Sequence, residues 1–125
     1  MDNPDSKTIL IAATDPNIIY LLQRYAEASG FQTAHCGFGD CLVQLARQVH
    51  PILVVLQIEP PESAWKQSLK MLKAEPETER IPIIAYSCID EILFHQVDGI
   101  ASILQKSVLY SDFLIALERA GIRTR

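Results

Sequence analysis

Apolar residues in this chain gather into short continuous runs, and these alternate with stretches of helical spacing bounded by polar or turn-forming residues. Thr8-Ile9-Leu10-Ile11-Ala12-Ala13 is such a run, and the lack of polar alternation predicts a strand covered on both faces. Asp15-Pro16 then reads as a helix start: the Asp15 side chain can cap free N–H groups, and proline suits the first helical position. An apolar stripe at Ile18, Leu21, Leu22, Tyr25 and Ala26 carries the helix on, and Gly30 closes it as a left-handed residue. Phe31 to His35 reads as a second, weaker strand. Asp40 to Val49 has helical spacing at Leu42, Val43, Leu45, Ala46 and Val49, and Pro51 bars its continuation. Ile52 to Leu56 is the most hydrophobic run, hence the expected centre of a sheet.

After Glu59-Pro60-Pro61 a helix is predicted from Ser63 to Lys73, with Trp65, Leu69 and Leu72 on one face. A polar loop, Pro76 to Arg80, precedes a fourth strand over Ile83 to Tyr86. Glu91 to Val97 reads as a short helix ended by Gly99, and Ser102 to Gln105 as a fifth strand. Asp112 is expected to cap a last helix that carries Phe113, Leu114, Ala116 and Leu117. Strand and helix thus alternate five times. Short strands joined by helical crossovers require a parallel sheet with helices on both faces. Function in such sheets collects at the carboxyl ends of the strands. The positions that matter are therefore Ala13-Thr14-Asp15, Gln57-Ile58, Ser87-Cys88 and Lys106-Ser107.

Composition narrows the classes. A chain of 125 residues with 49% apolar and 21% charged residues is expected to form one packed domain rather than a disordered segment. Its longest apolar runs are about five residues, against about 20 for a membrane-spanning helix. The polar, acidic stretch from Met1 to Lys7 has no signal-sequence pattern, which makes a cytoplasmic location the default expectation. Net charge is −4, with no Lys/Arg run. The one local excess, Arg119, Arg123 and Arg125, reads as the solvated end of the last helix, so nucleic-acid binding is disfavoured. Cys36, Cys41 and Cys88 form an odd set without a C-x-x-C pair, and His35 with Cys36 and Cys41 matches no standard zinc spacing. Buried free thiols are expected, with no metal and no cofactor.

The order of these segments resembles the receiver (CheY-like) domains of bacterial response regulators, over about residues 7 to 121. The resemblance rests on Ile9-Leu10-Ile11 leading into Asp15-Pro16, and on Pro51 through Leu56 entering a loop with Pro60. It continues through Leu72-Lys73-Ala74 and Ile81-Pro82-Ile83-Ile84, and ends on Lys106. It implies a flavodoxin-like, doubly wound five-stranded parallel sheet with strand order 2-1-3-4-5. In that family an acidic pair after the first strand binds Mg²⁺, and an aspartate ending the third strand takes a phosphoryl group. A Ser or Thr ending the fourth strand and a Lys ending the fifth hold the phosphate oxygens. Carried over, the acidic pair falls on Ala13 and Thr14, the acceptor on Gln57, the hydroxyl on Ser87 and the lysine on Lys106. The separations of 44 residues from Ala13 to Gln57 and 30 from Gln57 to Ser87 fit the family. The 19 from Ser87 to Lys106 is short, which implies a trimmed region around the fourth helix.

The departures bear on the chemistry. An amide cannot form the acyl phosphate that a carboxylate nucleophile forms. Mg²⁺ favours hard oxygen ligands, and Ala13 supplies none while Thr14 supplies only a hydroxyl. Asp15 is assigned to the helix cap rather than to a metal. The pattern reads as a pseudo-receiver without catalytic residues. For Ser87 and Lys106 the favoured reading is a Gln57–Lys106 hydrogen bond that locks the old pocket, and the other is a residual anion or partner-contact site. The family's switch aromatic falls on Ile103, and Ser107 replaces the proline after the lysine, so a trans peptide is expected there. Both changes imply a domain resting in one conformation, or one shifted by a partner instead of by phosphate. The functional reading is a phosphorylation-independent interaction module whose partner is a histidine kinase, another regulator or a second copy in a homodimer. Phe94, Tyr110, Phe113 and Arg119 are candidate contacts, beside Ile92, Leu93, Val97 and Leu109, although most of these are expected to be core residues of helices packed on the sheet. The alternatives are a small-molecule-sensing pseudo-receiver or a regulatory domain cut from a larger signalling protein. An enzyme is disfavoured, because no nucleophile–base arrangement is visible.

Overall fold

The computed structural model describes residues 7–58, 62–87, 100–105 and 109–122. Five strands, β1 (Thr8–Ala12), β2 (Gln32–Cys36), β3 (Leu53–Ile58), β4 (Ile83–Ser87) and β5 (Ser102–Gln105), form one parallel sheet in the order β2-β1-β3-β4-β5. Four helices are described: α1 (Pro16–Ala28), α2 (Asp40–Val49), α3 (Glu62–Lys73) and α4 (Tyr110–Arg119). The predicted helix over 91–97, with Ile92, Leu93, Phe94 and Val97, lies outside the described residues, as do Cys88, Lys106 and Ser107.

β3 is central and buried along its whole length, as its unbroken apolar run requires. Side chains alternate across the sheet and build a core on each face. Ile9, Ile11, Val55, Ile84 and Leu104 pack with Leu22 and Ala26 of α1 and Phe113, Ala116 and Leu117 of α4. Leu10, Val54, Leu56 and Ala85 pack with Leu42, Val43 and Ala46 of α2 and Trp65, Leu69 and Leu72 of α3. Ile103, at the switch-aromatic position, is half-buried against this second core.

The helix ends follow their local chemistry. Asp15 is the N-cap of α1, and its Oδ1 accepts from the Asn17 N–H at 2.9 Å. Gly30 follows α1 with φ 91°. His50 ends α2 in the left-handed region at φ 48°, before Pro51. The predicted loop between α3 and β4 holds a buried hydroxyl: Thr78 Oγ1 donates to the Leu72 carbonyl at 2.5 Å. Lys73 Nζ donates to the carbonyls of Glu79 (3.1 Å) and Ile81 (3.3 Å), closing the same turn.

Four expectations are corrected. β3 runs two residues beyond Leu56, because Gln57 and Ile58 continue the ladder with Tyr86 and Ser87 of β4, a pairing that hydropathy does not reveal. α4 starts before Asp112: the N-cap is Leu109, and Asp112 stands at the third helical position, where Oδ2 accepts from the Leu109 N–H at 2.9 Å. Cys36 is only half-buried and Cys41 is exposed, because Cys41 lies on the outer side of the first turn of α2. Phe113 is wholly buried, packed on Tyr25 with ring centroids 5.7 Å apart, so it presents nothing to a partner.

Candidate functional site

The carboxyl ends of β1, β3 and β4 meet beside the start of α1. Gln57 is 3% exposed although it is polar, and its surroundings account for that. Its Oε1 accepts the Thr14 N–H at 2.9 Å and, at 3.4 Å, the Asp15 N–H. These donors belong to the turn that enters α1, and the N–H groups around a helix start lack partners within the helix. Asp15 is turned the same way, capping Asn17. The amide and the carboxylate are therefore both used to close the β1–α1 turn, one from the neighbouring strand and one from within.

Ala13 is buried, its methyl standing where the resemblance puts one member of an acidic pair. Its N–H donates to the Cys36 carbonyl at 3.0 Å, which joins the end of β1 to the end of β2. Thr14 is exposed. Ser87 is wholly buried at the end of β4, in register with Ile58 and Gln105, whereas Gln57 is in register with Tyr86. Strand alternation therefore sets Ser87 and Gln57 toward opposite faces of the sheet. Among the described residues no group of three His, Cys, Asp or Glu side chains could hold a metal ion. The site can accept backbone hydrogen bonds and hold a turn, and at position 57 it offers no carboxylate nucleophile.

The partner expected for Gln57 from the sequence is Lys106. The bond that the structure shows goes to the backbone at Thr14 and Asp15, and Lys106 lies outside the described residues. Backbone donors leave no residue-type signal, so composition and spacing could not identify them. Of the candidate contact residues, Tyr110 is 36% exposed at the start of α4, and Arg119 is exposed near its end. The Tyr110 hydroxyl lies 3.1 Å from Ser29 Oγ, and its ring stacks obliquely on Tyr25 with centroids 5.5 Å apart. Leu109 and Ile115, 63% and 49% exposed, extend that surface along α4. Among the described residues no helix is long and apolar enough to cross a membrane.

No family model matches the chain. The polar-differentiation response regulator DivK of Brucella ovis is 32% identical over 80 residues, which are 64% of this chain and 65% of that protein. The same regulator from Brucella anthropi is 32% identical over 79 residues, 63% and 64% of the two chains. The matched stretch thus spans just under two thirds of these curated relatives. Among solved structures, the chemotaxis protein CheY4 of Vibrio cholerae superposes with a TM-score of 0.80 at 14% identity, covering 92% of this chain and 98% of that one. The signal receiver domain of a histidine kinase from Syntrophus aciditrophicus superposes with a TM-score of 0.77 at 21% identity, covering 92% and 89%. Strand order and these likenesses agree: the chain has the CheY-like, flavodoxin-like receiver fold.

Proposed function

We propose that this chain is a receiver domain that takes no phosphoryl group at position 57 and acts by contact with a protein partner. The observation that carries the reading is Gln57 itself. It occupies the strand end where the resemblance places the acceptor, and its amide oxygen is committed to the Thr14 and Asp15 N–H groups. Formation of an acyl phosphate needs a carboxylate there, and Mg²⁺ needs hard oxygen ligands that Ala13 does not supply. The partner is a histidine kinase, another regulator or a second copy. Kinship with DivK and the likeness to a kinase receiver domain support that class. The surface offered is the exposed side of α4, with Leu109, Tyr110, Ile115 and Arg119.

The test is intact-mass measurement after incubation with acetyl phosphate and Mg²⁺, beside an ordinary receiver as positive control. The expected mass is unchanged while the control gains a phosphoryl group. A hydroxylamine-labile addition to this chain would sink the reading. For the contact, Ile115→Asp is titrated against the host's histidine kinases and its self-association is followed by sedimentation. Weakened binding in either assay supports the surface; a wild-type chain that binds no kinase and stays monomeric at high concentration removes the interaction role.

A further inference from the structure

α2 and α3 lie on the face of the sheet opposite α1 and α4, and between them runs a groove that the site at the strand ends does not use. It encloses about 260 Å³. Its wall on α2 is Asp40, Val43, Gln44 and Arg47, which share one side of the helix at spacings of three and four. Met71 of α3 stands opposite, with Ala74 and Glu75 just past the helix end. The floor is apolar: Val43 is buried, and Met71 is half-buried against the same core. The rim is charged and uneven. At one end Arg47 bridges to Glu75 and, from Nε at 3.6 Å, to Glu77. At the other end Asp40 opens α2 and Gln44 follows one turn later. Among the described residues neither of these two side chains has a hydrogen bond or an ion pair. Three carboxylates thus stand around one guanidinium, and the uncommitted acceptors are at the Asp40 end.

We propose that this groove is a docking site for a basic segment of a protein partner, one lysine or arginine of which lies along it. The aliphatic stem covers Val43 and Met71, and the cationic head reaches the acceptor oxygens of Asp40 and Gln44. Arg47 is seven residues further along α2, about 10 Å away at 1.5 Å per residue, and marks the end that a cation avoids. An acidic segment finds the reverse: Arg47 is already paired, and the free carboxylate of Asp40 repels it. Size favours a single side chain over a metabolite, because small-molecule pockets run to about 300–1,000 Å³. The groove and the exposed side of α4 are on opposite faces of the sheet, so this contact stands apart from the α4 surface and does not rest on it.

The experiment titrates the ¹⁵N-labelled full chain with a short blocked peptide of alternating lysine and leucine, and follows the backbone amide shifts. Shifts are expected in residues 39–47 and 71–75 with α4 unmoved, and they should fade as salt is raised. Asp40→Asn should weaken binding roughly two- to fivefold, the range that an exposed ion pair supplies. Arg47→Gln should tighten it by a similar factor, because the repelling cation is gone. Opposite signs from two positions on one helix separate recognition by charge from a general loosening of α2. Both side chains are exposed, so each variant's spectrum should otherwise overlay that of the wild type. The proposal falls if the lysine peptide leaves these amides unmoved, or if a glutamate–leucine peptide shifts them as strongly. It falls equally if Arg47→Gln weakens binding, or if n-butylamine at the same concentration gives the full effect, which would make the groove a site for small cations alone.

Discussion

β3 has two regions that are equally dry and buried for different reasons. From Leu53 to Leu56 it is aliphatic, and each residue is 0–1% exposed between helices. Gln57, the next residue, is 3% exposed and has little apolar surface with which to repay its desolvation. The first region is held by packing, which is non-directional and belongs to the whole core. The second is held by one oxygen and two backbone donors, which is directional and belongs to the β1–α1 turn alone. The lesson is that a polar residue at a strand end can be as dry as the core, provided that its acceptor meets N–H groups that lack partners within the helix.

Leu56→Ala should break the packed region, and the expected effect is the largest. A wholly buried leucine truncated to alanine costs about 2–5 kcal/mol through lost transfer energy and the cavity left behind. Urea denaturation should show the midpoint falling with little change in slope, and a loss below 1 kcal/mol would mean that the core collapses into the space.

Gln57→Leu sharpens the comparison from the other side. It keeps the size and removes the acceptor, so about 1 kcal/mol of stability is expected to go, with water able to meet part of the deficit at exposed Thr14. The diagnostic reading is local. Amide exchange should quicken at Thr14 and Asp15 and stay unchanged in the middle of β3. Uniform acceleration would show that Gln57 is held by packing after all.

The smallest effect should come from the half-buried thiol at the end of β2. The Cys36 thiol rises from its ordinary 9.0 to about 12 in the fold, through burial and then Cys41. Between those values the folded chain keeps a proton that the unfolded chain releases. Stability from this group is thus complete below pH 9.0 and falls as pH rises toward 12. Lys73 works in the opposite sense, because burial lowers its pKa and the folded chain binds fewer protons than the unfolded one at alkaline pH. Comparing alkaline denaturation of wild type with Cys36→Ala isolates the thiol: the variant should lose less stability over the same pH window, and parallel curves would exclude the contribution.

Much of the architecture is visible in the residues alone. The apolar runs at Ile9-Leu10-Ile11 and Leu53-Val54-Val55-Leu56 are strands because a continuous apolar segment bounded by turn residues can be satisfied only by cover on both faces. Asp15-Pro16 starts α1, and Asp40 to Val49 spans α2, because capping and period are local properties of the chain. The lack of a carboxylate at position 57, and with it the limit on the chemistry, is equally a matter of residue identity.

Tertiary structure decided what those residues touch. Phe113 and Tyr110 stand three residues apart on one helix and both pack on Tyr25 of α1, yet one fills the core and the other reaches the surface. Asp112 reaches back to Leu109 instead of starting the helix. Gln57 is satisfied by backbone 42 and 43 residues away, and a backbone N–H carries no letter in the sequence. Period and composition determine which segments must be buried; hydrogen-bond partners across the fold are settled only when the segments are brought together.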